Sequence, residues 1–331
     1  MSELGTKVTQ LVHAATRDVD PKAIKGVVEA VLIAFDDAKK KDREEAVTAL
    51  GLALGRAHGR GAQVLCLALG AVVESGGSPE LAFPAIAKGL PEILERAESF
   101  AKAALKKAKS TDLEAALGAT GAALAKKSPA DADAWKELAP RCLAAVACLV
   151  RSREARAKAA KNKALFHAAE HLSTLVPEVS LFFQAARILD GAELVILAPA
   201  IDRGWKATIT EIPSNSELYV LVAAAIVGKG KWPGKPPSAK IVKAVAESAL
   251  PKVDLDYAVP FHLATPEHAL DGEGVPAELP LVGKTRIVIV QEPALEEPLA
   301  VVPPFDALRP KLVVTGELSP AEIAKLVKKL G

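Results

Sequence analysis

Two histidines flank a glutamate in the segment His167-Ala168-Ala169-Glu170-His171. If this segment is helical, His167 and His171 lie one turn apart on the same face, so both imidazoles could bind one Zn²⁺ ion. Glu170 would then act as the general base that takes a proton from the metal-bound water. The spacing is therefore compatible with a zinc-dependent hydrolase.

The order H-x-x-E-H is similar to that of the inverzincin metalloproteases. The resemblance implies Glu247 as a third ligand, because it follows His171 at a spacing not unlike that in the pitrilysin-type peptidases. Those enzymes carry the motif on a helix that follows an N-terminal strand, whereas here the motif follows a run of predicted helices. The alternative is an amphipathic helix in which the two histidines flank a surface carboxylate. On that interpretation the protein needs no cofactor.

Two basic segments are candidates for contacts with nucleic-acid phosphates. Arg151, Arg153 and Arg156 belong to a short run that also contains three lysines, and Trp232 lies in the lysine-rich loop 229–235. Contacts between basic side chains and phosphates give salt-dependent binding, and an aromatic ring between lysines could stack on a base. The alternative is an ordinary solvated surface, because lysine is frequent throughout this chain.

Candidate contacts for a protein partner lie in the second half of the chain, where the aromatic residues concentrate. Trp232 is expected to be an exposed anchor, because no helical or strand period in its loop predicts burial. Arg203 and Trp205 lie beside a predicted hairpin and could orient a ligand there. Turn formation and core packing are the alternative interpretation of these two residues.

Helix start signals recur through the first half of the chain. Asp20-Pro21 and Ser78-Pro79 each pair an N-cap residue with proline at the first helical position. Between such signals, apolar residues recur at steps of three and four. The helices could form a HEAT- or armadillo-like stack of hairpins or a closed bundle. Helices are predicted near residues 4–16, 21–38, 42–57, 60–75, 79–107, 112–126, 131–151 and 153–175.

The second half cannot be helical throughout, because most of the 23 prolines lie at or after Pro177. A capping box from Ser214 to Glu217 predicts a helix that ends at Gly228. Strands and helices do not alternate regularly, which favours an α+β fold with a mixed sheet. We therefore predict an all-helical domain at 1–176 and an α+β domain at 177–331. Strands are predicted at 193–198, 205–212, 257–263, 286–291, 299–302 and 312–315, and further helices near 238–249 and at the C-terminus.

Composition limits the possible functions. A formal net charge of +2 gives no attraction of the whole molecule to nucleic acid or to an anionic membrane. The longest apolar runs, such as 64–73, have about ten residues, whereas a membrane span needs roughly 20. The first residues do not resemble a secretory signal. Three cysteines without a C-x-x-C pair are expected to be reduced and buried. These features favour a cytoplasmic protein without a membrane partner.

Several catalytic motifs are missing from the sequence. It has no G-x-x-x-x-G-K-[ST] phosphate loop, no dinucleotide-binding glycine motif and no G-x-S-x-G nucleophile elbow. We therefore expect a non-enzymatic interaction or scaffold protein, with a helical-stack half and an α/β partner-binding half, whose partner is another protein. The alternatives are the zinc-dependent hydrolase and a nucleic-acid-binding accessory protein.

Overall fold

The computed structural model describes residues 2–16, 21–228, 231–248, 257–292 and 304–330, with side chains from residue 25 onward in the second range. It divides into two compact units, Met1–Ala186 and Arg187–Gly331, which we call the helical unit and the sheet unit. The division follows the helix Pro177–Ala186 instead of preceding it, because that helix packs against three others of the helical unit.

The helical unit is built around a long central helix, α8, which packs against α4, α6 and α11. Its interior is lined by small and aliphatic side chains, so the helices approach one another closely. No helix among the described residues is both long and apolar enough to cross a bilayer. The helices are α1 Glu3–Ala15, α2 Pro21–Asp36, α3 Lys40–Leu54, α4 Gly59–Glu74, α5 Pro79–Ala87, α6 Leu90–Ala108, α7 Leu113–Lys127, α8 Pro129–Leu149, α9 Arg153–Ala160, α10 Lys163–Ser173 and α11 Pro177–Ala186.

Two predicted helices are each divided in the structure. The helix expected over 79–107 ends at Ala87, because Gly89 takes a left-handed conformation with φ of 74° before α6 begins. The helix expected over 153–175 is interrupted before Asn162, whose side chain accepts a hydrogen bond from the Leu165 amide and caps α10. The first break brings the end of α5 and the start of α6 to the side of α8, where a cavity forms.

The sheet unit contains a mixed sheet in the order β3-β5-β1-β2-β6, with β4 paired to β5. β1 and β5 are parallel, whereas the other pairs are antiparallel. The α+β class, with a helical N-terminal half and a mixed C-terminal sheet, is confirmed. The strand predicted at 299–302 lies outside the described residues. The elements are β1 Asp190–Ala198, β2 Arg203–Thr210, α12 Asn215–Ile226, α13 Ala239–Ala246, β3 His262–Ala264, β4 Leu281–Val282, β5 Thr285–Gln291, β6 Lys311–Glu317 and α14 Pro320–Leu330.

Helix α12 forms part of the core of the sheet unit. Its predicted capping box is present: the Ser214 hydroxyl accepts a hydrogen bond from the Glu217 amide, and the Glu217 carboxyl accepts one from the Ser214 amide. Unlike most capping glutamates, which lie at the surface, Glu217 is completely buried. The helix therefore carries a titratable group inside the unit.

Candidate functional site

An open groove runs between α2 and α4 in the helical unit and encloses about 430 Å³. The α4 residues that line the groove lie at positions i, i+3, i+4 and i+7, so they share one face of that helix. The α2 residues lie at positions i, i+3 and i+4 and likewise share one face. Val28, Gln63 and Val64 are partly buried, whereas Leu67 is exposed. The lining residues are Lys25, Val28 and Glu29 from α2, and Arg60, Gln63, Val64 and Leu67 from α4.

One apolar face of helix α4 is not covered by the rest of the helical unit. Its inner faces, including Leu65 and Leu69, are fully buried. The run 64–73 is apolar on every side, yet Leu67 is 52% exposed and Val64 is only partly buried. A helix that is apolar all round is usually enclosed by protein, so the groove face of α4 is the face that remains uncovered.

The position of α4 is fixed at its start by a close approach to α1. A Cβ atom on Gly61 would overlap the carbonyl oxygen of Ala15, so only glycine allows this contact. The rest of α4 packs along α8, where Gly70 lies against Ala144. These contacts hold α4 in place while its groove face stays open, so the groove is formed before any ligand binds.

The edges of the groove carry more positive than negative charge. Lys25 and Glu29 are one turn apart on α2 and lie 3.8 Å apart between Nζ and Oε1, with both side chains well exposed. Arg60 contributes a second positive charge from α4. An exposed ion pair of this length contributes little to stability, so a ligand can separate Lys25 from Glu29 at little cost.

A second furrow, between α3 and α5, contains two exposed leucines, Leu52 and Leu81. Its α3 wall begins with Lys41, Glu44 and Glu45, and Lys41 and Glu45 form an ion pair of 3.9 Å. Two acidic residues and one basic residue line this furrow, whereas two basic residues and one acidic residue line the groove between α2 and α4. It provides a useful comparison surface in the same unit.

The H-x-x-E-H segment lies on α10, where His167, Glu170 and His171 are all exposed. His171 Nδ1 is 3.2 Å from Oε1 of Glu98 on α6, and the same carboxylate oxygen is 2.6 Å from Nζ of Lys102. Among the described residues, no three His, Cys, Asp or Glu side chains are grouped so as to hold a metal ion. The zinc site therefore has no geometric support in this part of the chain.

The proposed third zinc ligand, Glu247, belongs to the sheet unit and not to the unit that carries the two histidines. It caps the end of α13 and lies 3.8 Å from Nζ of Lys243, with more than half of its side chain exposed. Its surroundings are those of an ordinary surface carboxylate at a helix end.

The expected exposure of Trp232 is wrong. Its side chain is 2% exposed, its indole Nε1 donates a hydrogen bond to the Pro260 carbonyl oxygen, and its ring packs edge-on against Phe261. Trp205 on β2 is also buried in the core. The guanidinium of Arg203 lies over the Trp205 ring, 5.4 Å from its centre. Both residues therefore take part in packing within the sheet unit.

The three arginines of the basic segment do not share one exposed face. Arg156 is almost fully buried and its Nη1 donates a hydrogen bond to the Leu149 carbonyl oxygen at the end of α8. Arg151 and Arg153 are exposed. In the other basic segment, residues 229–230 lie outside the described part of the chain. The phosphate-binding surface predicted from sequence is therefore smaller than expected.

No protein-family model matches this chain. No curated protein and no solved structure is similar to it either. The chemistry and shape of its own surfaces are thus the basis for inferring function.

The groove face of the run 64–73 was not among the candidate sites predicted from the sequence. A signal was present, since ten consecutive apolar residues at helical period leave no polar face to meet solvent. Which of the faces would remain uncovered depends on how α1 and α8 pack, which involves residues distant in sequence.

Proposed function

We propose that this chain is a protein-interaction module whose helical unit binds an acidic amphipathic helix of a partner protein. The bound helix lies in the groove between α2 and α4, with its apolar face on Val28, Val64 and Leu67. The observation that carries this proposal is the apolar face of α4, which the unit leaves uncovered although every other face of that helix is packed. Binding of a helix by such a groove is a common mode of peptide recognition.

The charge of the groove favours an acidic partner. Lys25 and Arg60 lie at its edges, opposed by Glu29. Carboxylates beside the apolar stripe of a bound helix would meet Lys25 and Arg60, and such contacts speed association and select against basic helices. This complementarity supports a partner helix that carries carboxylates beside its apolar face.

The experiment uses two synthetic helical peptides of roughly four turns, long enough to be helical when stabilised by a staple. Both carry leucines at positions i, i+3 and i+7, and they differ only in flanking glutamates or flanking lysines. We expect the acidic peptide to bind the full chain at one equivalent and more tightly than the basic one. Leu67→Glu should weaken binding by about tenfold or more, since burying a leucine side chain is worth roughly 1.5–3 kcal/mol.

The matched control is Leu52→Glu, which introduces the same charge at another exposed leucine of the helical unit, in the furrow between α3 and α5. It should leave peptide binding unchanged. Equal weakening by both substitutions, or equal affinity for both peptides, would contradict the proposal. A dimer of the wild-type chain that Leu67→Glu abolishes would show that a second copy, and not a partner helix, occupies the groove.

A further inference from the structure

A cleft of about 400 Å³ runs along helix α7, where this helix packs beside α6 and α8. It shares no lining residue with the groove between α2 and α4 or with the cavity at the end of α5. One residue of α6, four of α7 and three of α8 line it. We call it the aromatic cleft, because a phenylalanine ring and a tryptophan ring are among these residues.

The rings of Phe100 on α6 and Trp135 on α8 form one side of the aromatic cleft. Their centres are 6.3 Å apart and their planes are tilted by 34°. Phe100 is buried, whereas Trp135 is only partly buried. The other two tryptophans, Trp205 and Trp232, are enclosed in the core of the sheet unit. Trp135 thus leaves part of a large apolar side chain uncovered, and aromatic rings stack favourably on such a surface.

Helix α7 contributes a wall with little side-chain bulk. Gly121, Ala122 and Ala125 line the cleft from this helix. A Cβ atom on Gly121 would have no atom of another helix within 4 Å in the described part of the chain. The space beside Gly121 is therefore left unfilled by the packing of the helical unit.

This open space leaves α7 weakly held. Of its 15 residues, only Ala116 and Thr120 are buried. Glycine is among the least favourable residues in the interior of a helix, and α7 contains two, Gly118 and Gly121. A flat molecule lying between Trp135 and Gly121 would bury apolar surface on both sides, so its binding would also stabilise α7.

The charge of the aromatic cleft comes from a lysine. Among the described residues that line the cleft, Lys136 alone is charged. Its Nζ lies 3.5 Å from Oδ1 of Asp133, and both side chains are more than half exposed. An exposed pair of this length contributes little to stability, so a ligand carboxylate can draw Lys136 away from Asp133 at little cost. The cleft therefore favours a flat ring that carries a negative charge.

We propose that the aromatic cleft binds a small planar aromatic carboxylate. The ring of this ligand lies on Trp135 and reaches the backbone of α7 at Gly121, and its carboxylate pairs with Lys136. The proposal does not rest on the groove between α2 and α4, so either site can fail its test without the other.

The test measures binding of naphthoate to the full chain by calorimetry, alongside two analogues. Naphthalenemethanol keeps the flat ring without the charge, and adamantanecarboxylate keeps the charge on a ring system that is not flat. We expect one equivalent of naphthoate to bind about fivefold more tightly than the alcohol, since Lys136 is exposed and its contribution is modest. Naphthoate should bind about tenfold more tightly than adamantanecarboxylate, which cannot stack on Trp135.

Two glycine substitutions on α7 test the location of the site. Gly121→Leu fills the cleft and should weaken the binding of naphthoate about tenfold or more. Gly118→Leu is the matched control, because Gly118 has equally open surroundings on the same helix but does not line the cleft. It should leave binding unchanged. Leucine is a better helix former than glycine, so both variants should fold.

Lys136→Gln tests the carboxylate contact. It should lower the affinity for naphthoate to that for naphthalenemethanol and leave the affinity for the alcohol unchanged. Equal affinity of the wild-type chain for naphthoate and for either analogue, or binding of none of the three compounds, would overturn the proposal. The same conclusion follows if Gly118→Leu and Gly121→Leu weaken binding equally, or if Lys136→Gln keeps the preference for naphthoate over the alcohol.

Discussion

The indole Nε1 of Trp232 donates a hydrogen bond of 2.9 Å to the carbonyl oxygen of Pro260. The Trp232 ring also packs edge-on against Phe261, with 6.1 Å between ring centres. These contacts join the residues after α12 to the residues before β3, both within the sheet unit. Trp232 is therefore a structural element of the core and not a surface anchor.

We expect Trp232→Ala to lower the free energy of unfolding by about 3–5 kcal/mol, as is typical for removal of a large buried aromatic side chain. Trp232→Phe keeps a ring but loses the hydrogen bond to Pro260, so its cost should be smaller, about 1–2 kcal/mol. Chemical denaturation followed by circular dichroism measures both values. An unchanged midpoint for Trp232→Ala would mean that the ring is not packed as described.

Glu217 should make the stability of the sheet unit depend on pH. Burial raises its pKa to about 8 from a reference value of 4.5, although the hydroxyl and amide of Ser214 donate hydrogen bonds to its Oε2. Between these two pH values the folded state therefore binds more protons than the unfolded state. The stabilisation is complete below pH 4.5 and is lost as pH rises to about 8, so the free energy of unfolding falls over that interval.

Urea denaturation at about pH 5 and about pH 8 should show the wild-type chain roughly 2–4 kcal/mol less stable at the higher pH on account of Glu217. Glu217→Gln mimics the protonated form and should remove most of that difference. Glu273→Gln, at an exposed glutamate of the same unit, should retain it. If the wild-type chain and Glu217→Gln lose stability in parallel, the buried carboxyl is not the responsible group.

Replacing the buried Arg156 should lower the stability of the helical unit more than replacing an exposed arginine. Arg156→Ala leaves the Leu149 carbonyl at the end of α8 without its guanidinium donor, so we expect a loss of about 2–3 kcal/mol. Arg153→Ala, at an exposed position in the same helix, should cost less than about 0.5 kcal/mol. Thermal denaturation of the two variants tests this difference, and equal midpoints would argue against the inward position of Arg156.

Local sequence signals predicted the parts of the fold that local chemistry determines. The Ser214–Glu217 capping box and the helix start after Ser78 each depend on residues within one turn of each other, and the β1–β2 hairpin depends on the short connection between its strands. The burial of Trp232 was not predictable in this way, because it depends on Pro260 and Phe261. Gly89 was a local signal for the break between α5 and α6, but one continuous helix was predicted across it.

The candidate sites could be predicted from the sequence less well than the fold. The groove depends on which face of α4 the packing of α1 and α8 leaves open, and the cavity beside α8 depends on residues from four helices and the segments that join them. Only the α8 series of Asp133, Glu137 and Arg141 could be read as one face from spacing alone. Its opposing walls meet α8 through tertiary packing, which no local pattern encodes.

The three cysteines should be unreactive in the folded protein. Cys66, Cys142 and Cys148 are free and buried, and burial raises the pKa of each thiol, to about 12 for Cys66 and Cys148. Since the thiolate is the nucleophile, iodoacetamide at neutral pH should modify them only after denaturation. Mass spectrometry of native and denatured samples measures this, and alkylation of any of the three in native protein would contradict the packing around α4 and α8.

Unreactive native cysteines allow the groove to be tested at a single introduced thiol. Gln63→Cys places a thiol on the groove wall of α4, and Thr48→Cys places one in the furrow between α3 and α5. Each variant is labelled with a polarity-sensitive fluorophore and titrated with the acidic helical peptide. We predict that the emission at position 63 shifts to shorter wavelength and saturates at one equivalent, because the peptide excludes water there, while the emission at position 48 does not change. A shift at position 48, or binding with no shift at position 63, would contradict the assignment of the groove between α2 and α4 as the partner-binding site.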